Sequence, residues 1–214
     1  MHLTILACRF CLYHARCGAY GQHVVATLRP QLVVAISGCD SGFGRALAVR
    51  LAEDDGFIVL AGCLTTANVE ELAKLKLPNL HAAPLDVTKD ASVTAFVETL
   101  TALVAAGAPK RQLYALVNNA GVGTGGCVDW LTMDDYQFDM NVNYFGLIRL
   151  TKVCLPLLKE AAKAAHAVKS VTKPRVVNMT SSAGLVVAPF VSPYCGSKHA
   201  AEVLGGPLPC AFFK

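Results

Sequence analysis

Tyr194 and Lys198 stand four residues apart in Ser192–Leu204, a stretch that reads as the start of a helix. Four residues is one helical turn, so both side chains share a face. A phenol ionises at about pH 10, too high for a base at neutral pH. An ammonium one turn away favours the phenolate and lowers that value. Such a tyrosine can act as general base for alcohol oxidation or as general acid for carbonyl reduction. With six tyrosines in the chain, one such pair could arise by accident, so it needs neighbours before it is a site.

A second constellation lies upstream. Ser37-Gly38-Cys39-Asp40-Ser41-Gly42-Phe43-Gly44 ends the apolar run Leu32–Ser37 and opens the amphipathic run Gly42–Glu53. Glycine there permits positive φ and close approach of backbone to a pyrophosphate. The helix N-terminus adds free N–H groups and partial positive charge. A plain strand–helix turn is the bland alternative, but position between a buried strand and a helix favours a dinucleotide cradle. A third cluster, Cys8, Cys11, His14 and Cys17, has the spacing of a zinc knuckle. It lacks a distant second ligand pair and an orienting carboxylate, so no metal site is expected.

The elements that must position these groups follow from 214 residues, 54% of them hydrophobic and 16% charged, enough for one domain with a sizeable core. The net charge of +4 is modest and its basic residues are scattered, which argues against a nucleic-acid partner. Nine scattered cysteines fit reduced thiols in an intracellular compartment better than a disulfide scaffold. No acidic residue precedes Asp40, while Arg9, Arg16 and Arg29 punctuate a Leu-, Ala-, Cys- and His-rich stretch. Residues 1–30 therefore read as a leader. A mitochondrial transit peptide is favoured over endoplasmic-reticulum or cytoplasmic residence, although little serine is present. A membrane-surface anchor and a mispredicted leader are the other readings.

From residue 31 onward, short apolar runs alternate with longer amphipathic ones. Strands are expected at Leu32–Ser37, Phe57–Cys63, Leu80–Leu85, Leu113–Asn118 and Arg175–Thr180. Helices are expected at Gly42–Glu53, around Val69–Lys76, at Ala91–Ala105, over Asp134–Leu158 with Pro156 near its end and the Ala- and Lys-rich Glu160–Pro174 as a helical extension plus a solvated loop, and at Ser192–Leu204. Continuously apolar strands alternating with helices imply an α/β, Rossmann-type doubly wound parallel sheet in a single domain, 31–204.

Gly38-x-x-x-Gly42-x-Gly44 resembles the cofactor signature of short-chain dehydrogenases/reductases, with Ser37 where that family usually has Thr. GCDSGFG is similar to the branch holding retinol, 17β-hydroxysteroid and 3-hydroxybutyrate dehydrogenases. The likeness runs from about Leu32 to Glu202. It implies that Ser37, Gly38, Ser41, Gly42, Phe43 and Gly44 cradle a nicotinamide dinucleotide. Asp86, in Leu85-Asp86-Val87-Thr88, matches the acid that bonds the adenine amino group, though Asp also suits a turn or helix cap. Asn118-Asn119-Ala120-Gly121 matches the NNAG motif, whose amides tie strand ends and whose small residues, Ala120 and Gly121, leave room for the ribose. Ser181, thirteen residues before Tyr194, matches the serine that bonds the substrate oxygen, with Ser182 as a near neighbour. Asn143 matches the proton-relay asparagine, with Asn141 two residues earlier as decoy. Tyr194 and Lys198 complete the catalytic set and also touch the cofactor. The implied reaction is direct hydride transfer, without metal, between nicotinamide and an alcohol or carbonyl carbon.

An acid ending the second strand would bond the ribose of NAD and repel the 2′-phosphate of NADP. That place falls on Cys63, and no Arg or Lys stands there or just before Gly42, where Asp40 and Ser41 occupy the turn, so NAD is favoured and NADP stays open. The apolar loop Ala183–Val191 suits a retinoid or steroid, unless it merely packs a strand end. Ser192-Pro193-Tyr194-Cys195 and Ala61-Gly62-Cys63-Leu64 look more like 3-hydroxybutyrate dehydrogenase, whose substrate carboxylate would need a cation that no residue supplies. The likeness breaks after Glu202. Gly205-Gly206-Pro207-Leu208-Pro209 ends a helix, making 205–214 a divergent tail. The family's sixth strand, its Pro-Gly turn, its lid and part of its dimer helix are then missing. A homo-oligomer is usual in the family, but its elements are cut short here. Two functions are expected: an active alcohol dehydrogenase, or a truncated, impaired isoform that binds nucleotide or partner subunits.

Overall fold

In the computed structural model, the structure describes residues 31–54, 56–107, 110–168 and 173–205. The leader and residues 206–214 lie outside them. Five strands form one parallel sheet: β1 Leu32–Ser37, β2 Ile58–Cys63, β3 Leu80–Pro84, β4 Gln112–Asn118 and β5 Arg175–Asn178, in the order β3-β2-β1-β4-β5. The three central strands are buried nearly throughout, as their unbroken apolar sequences require, whereas edge strand β5 is only half-buried.

Six α-helices connect and extend the strands: α1 Gly42–Glu53, α2 Thr66–Ala73, α3 Asp90–Ala105, α4 Met133–Met140, α5 Leu147–Ala167 and α6 Ser192–Gly205. Strand side chains alternate between faces. Leu32, Val34 and Ile36 of β1 pack with Leu47, Leu51 and Leu72 of α1 and α2. Val33 and Ala35 pack on the other face with Phe96, Leu100, Leu150 and Leu158 of α3 and α5. The expected doubly wound architecture is present.

Two helical expectations change. Helix α2 begins three residues before Val69 because Thr65 caps it, its hydroxyl accepting the Asn68 N–H at 3.3 Å. The expected Asp134–Leu158 helix is three segments, with one π turn, Asn141–Gly146, between α4 and α5. Pro156 does not end α5, which runs to Ala167. The carbonyl it leaves unbonded belongs to solvent-exposed Lys152, while Leu150, Cys154, Leu158 and Ala161 bury the opposite stripe.

Candidate functional site

Parallel strands put all their C-terminal ends on one side of the sheet. The order reverses between β1 and β4, the place where doubly wound sheets bind their ligands. Every candidate residue lies at or just beyond a strand end, or on α6 or the π turn beside it.

The glycine turn after β1 is built by packing against the loop after β4. Ser37 Oγ accepts the N–H groups of Asn119 and Ala120, both at 3.0 Å. Asn119 Nδ2 donates to the Ser37 and Gly38 carbonyls at 3.0 and 2.9 Å. Gly38 has φ +70°, and a Cβ there would stand 2.7 Å from Ala120 Cα, so no other residue fits. A Cβ on Gly44 would collide with the Gly38 carbonyl. Gly42 has φ +59° but open space around it. Ser41, the N-cap of α1, makes no side-chain capping bond, so the first N–H groups of the helix remain available. Ser41, Gly42 and Phe43 are exposed. These residues fit a dinucleotide diphosphate.

The second expected tie is also made. Asn118 Nδ2 donates to Thr151 Oγ1 on α5 and to Asn178 Oδ1 on β5, both at 2.9 Å. Asp86 Oδ1 accepts the Thr88 N–H and hydroxyl at 2.9 and 2.6 Å, a turn inside its own loop.

Cys63 is fully buried, and burial pushes its thiol up to about 11. The carboxylate at this strand end instead comes from the glycine turn. Asp40 accepts from Leu64 N, Thr65 N and Asn68 Nδ2 at 2.9, 3.2 and 2.9 Å. Partial burial raises its pKa, but these three donors together outweigh that and hold it below the ordinary carboxylate value. Arg45 nearby is paired with Glu71 at 3.0 Å.

The loop after β4 is a strip with two faces. Gly121, Gly123 and Gly125 are exposed, while Val122, Thr124 and Gly126 between them are half-buried. Each inward residue is held by a different element. Asn143 Oδ1 accepts the Val122 N–H at 2.9 Å and its Nδ2 donates to the Val122 carbonyl at 2.8 Å. Asp139 accepts the Thr124 N–H and hydroxyl at 3.0 and 2.8 Å. The Phe190 carbonyl, on a residue with φ +64°, accepts the Gly126 N–H at 2.7 Å. The glycine face looks toward α6: a Cβ on Gly121 would sit 3.3 Å from Lys198 Nζ, and one on Gly123 would sit 3.2 Å from the Tyr194 ring.

Lys198 is 5% exposed; its Nζ lies 5.7 Å from the Tyr194 ring centroid and donates to the Met179 carbonyl at 3.0 Å. Burial pushes its pKa below the ordinary lysine value, with the Asp139 charge pulling the other way. Asn143 is buried and Asn141 exposed, which separates the candidate from its decoy. The π turn supplies that inward placement, and Asn143 Nδ2 also donates to Ser197 Oγ at 2.8 Å. Ser181 is half-buried and caps a 3-10 turn, Ser182–Gly184, accepting the Ala183 N–H at 3.2 Å; Ser182 is exposed. Leu185, Val186, Val187 and Phe190 are 62–75% exposed, so the alternative of a core-packing strand end fails. Asp139, Thr124, Gly123 and Ser197 escaped the motif reading. The alternate glycines of Gly121-Val122-Gly123-Thr124-Gly125-Gly126 were the available signal.

Residues 32–206 match the short chain dehydrogenase family model, and the chain belongs to that family. It is 40% identical over 174 residues to retinol dehydrogenase 5 of Mus musculus, covering 81% of this chain and 49% of that protein. It is 39% identical over 173 residues to the mitochondrial D-beta-hydroxybutyrate dehydrogenase of Mus musculus, covering 79% and 46%. A short chain dehydrogenase/reductase from Burkholderia phymatum, solved in complex with NAD, superposes with TM-score 0.68 at 27% identity, covering 82% of this chain and 58% of that one. The chain spans about half the length of the curated relatives it matches. Among the described residues, no helix is long and apolar enough to cross a membrane and no metal-holding cluster of His, Cys, Asp or Glu occurs.

Proposed function

We propose that this chain carries the cofactor cradle and proton-transfer residues of an alcohol dehydrogenase that prefers NAD. The convergence at Gly121 carries the reading: its missing side chain leaves Lys198 Nζ and Asn143 Oδ1 side by side, one residue pair away from the Tyr194 ring. When bound, the nicotinamide accepts hydride from the alcohol carbon or returns it to the carbonyl. Tyr194 takes the hydroxyl proton during oxidation and gives it back during reduction. Lys198 keeps positive charge beside the phenol, and Ser181 bonds the substrate oxygen. The first turn of α1 holds the diphosphate, and the glycine face of 121–125 gives the cofactor a floor without side chains.

Asp40 supports the NAD preference. It occupies the N–H donors that could bind a 2′-phosphate, and its own charge repels one. The exposed side chains Leu185, Val186, Val187 and Phe190 favour an apolar alcohol of retinoid or steroid kind. The relationship to a D-beta-hydroxybutyrate dehydrogenase favours a second reading, although loop 183–191 holds no cation for a carboxylate.

The test is NADH fluorescence on mixing with the purified chain, followed by turnover of retinol, estradiol and 3-hydroxybutyrate. Tyr194→Phe is expected to lower turnover about 10³-fold while leaving NADH binding unchanged. Unaltered turnover in that variant refutes the assignment. NADH binding without any wild-type turnover supports a nucleotide-binding, catalytically impaired chain instead.

A further inference from the structure

Asp139 is a fully buried carboxylate, and both of its hydrogen bonds come from Thr124. Among the described residues it forms no direct ion pair. Helices α4 and α6 lie together, joined by a bond of 2.8 Å between the Tyr136 and Ser192 hydroxyls. Lys198 lies on α6, buried, with its Nζ donating to the Met179 carbonyl at 3.0 Å; burial pushes its pKa down and the Asp139 charge pulls it back up.

We propose that Asp139 is a positioning residue of the Tyr194–Lys198 pair: by gripping Thr124 it holds the glycine strip against both side chains, and its carboxylate favours the charged form of Lys198 across the α4–α6 junction. This rests on the reading of that pair as the proton-transfer site. The geometry is specific. Thr124 follows Gly123, whose exposed face meets the Tyr194 ring, and lies three residues after Gly121, which meets Lys198 Nζ. Releasing the grip frees the middle of the strip, since its other two holds are at Val122 and Gly126. The groups that bear on Lys198 are the Tyr194 ring on its own helix, the Asn143 amide from the π turn, the Met179 carbonyl beyond β5 and, through its charge, the Asp139 carboxylate of α4.

The experiment reads Lys198 protonation directly. Trace acetic anhydride labelling, quantified at Lys198 by mass spectrometry across pH, is run on the whole chain and on Asp139→Asn, Asp139→Glu and Thr124→Val. In Asp139→Asn, which keeps the shape and removes the charge, the labelling midpoint is expected to fall by about one pH unit. Asp139→Glu restores the charge and brings the midpoint back. Thr124→Val leaves the midpoint in place while loosening the strip, seen as faster amide exchange at residues 121–126. Coincident curves for wild type and Asp139→Asn overturn the charge role, and unchanged exchange in Thr124→Val overturns the grip. Should Asp139→Asn fail to melt cooperatively, Thr124→Val alone decides: a midpoint displaced there overturns the proposal. None of these readouts needs turnover, so a wild-type chain without dehydrogenase activity removes the function and leaves the positioning role to stand or fall separately.

Discussion

Two glycine-rich loops follow strands of the same sheet, and only the first needs glycine for its backbone conformation. After β1, Gly38 and Gly42 adopt left-handed backbone at φ +70° and +59°, so the turn needs the conformations that glycine alone takes freely. After β4, Gly121, Gly123 and Gly125 have ordinary backbone and are required only for the side chains they lack, because Lys198, Tyr194 and the Phe190 carbonyl fill the adjoining space. The first loop adds a conformational demand at Gly38 and Gly42 to close packing of Gly38 on Ala120. The second is a surface shaped by partners that lie from 15 to 77 residues away in sequence. The difference teaches that a glycine's meaning lies in what its absent Cβ would meet.

Substitutions at the two loops should therefore fail differently. Gly38→Ala combines left-handed strain with a Cβ only 2.7 Å from Ala120 Cα, and should lower stability by about 3 kcal/mol in denaturant titrations. A variant as stable as wild type would break the distinction. Gly123→Val adds bulk against the Tyr194 ring from the exposed side. It should leave the melt nearly unchanged while reducing turnover about 100-fold; a large fall in stability instead would make the strip a folding element. Asp40→Asn removes the charge at the end of β2, and the ratio of NADPH to NADH affinity should rise about tenfold. Gly42→Ala meets no atom within 4 Å, so only backbone strain of about 1 kcal/mol is expected.

Asp40 also gives the comparison a pH dependence. Its carboxyl is depressed in the fold despite burial, because Leu64, Asn68 and Thr65 donate to it. A depressed acid stabilises the fold above the ordinary carboxylate range and loses that contribution as pH falls through the lower folded value. The gap between wild-type and Asp40→Asn melting temperatures should accordingly be open at neutral pH and close in acid. A gap that widens in acid would contradict the assigned bonds.

Much of this molecule was legible in order along the chain. Five apolar runs marked five strands to within one or two residues, because the three central strands bury both faces and the two edge strands keep a short apolar stretch against them. Ser37, Gly38, Gly42 and Gly44 were legible because a strand–turn–helix cradle is made within eight residues. Asn118 and Asn119 were read correctly as ties between strand ends, although which strands they tie depended on β1, β4 and β5 lying side by side. The π turn was invisible: its extra residue is dictated by Asn143 reaching Val122 and Ser197, partners 21 and 54 residues away. Pro156 is tolerated inside α5 for a related reason, since the buried stripe of that helix outweighs the one hydrogen bond it removes.

The sequence by itself determined the parallel sheet, the glycine turn that opens α1 and the family, since each rests on short-range pattern. Only the tertiary structure decided that Asp40, not Cys63, supplies the charge at the end of β2, and that Asp139 grips the strip below Tyr194. Those are bonds between chemically ordinary residues far apart in the chain. Their strength comes from burial and convergence, which no local spacing encodes.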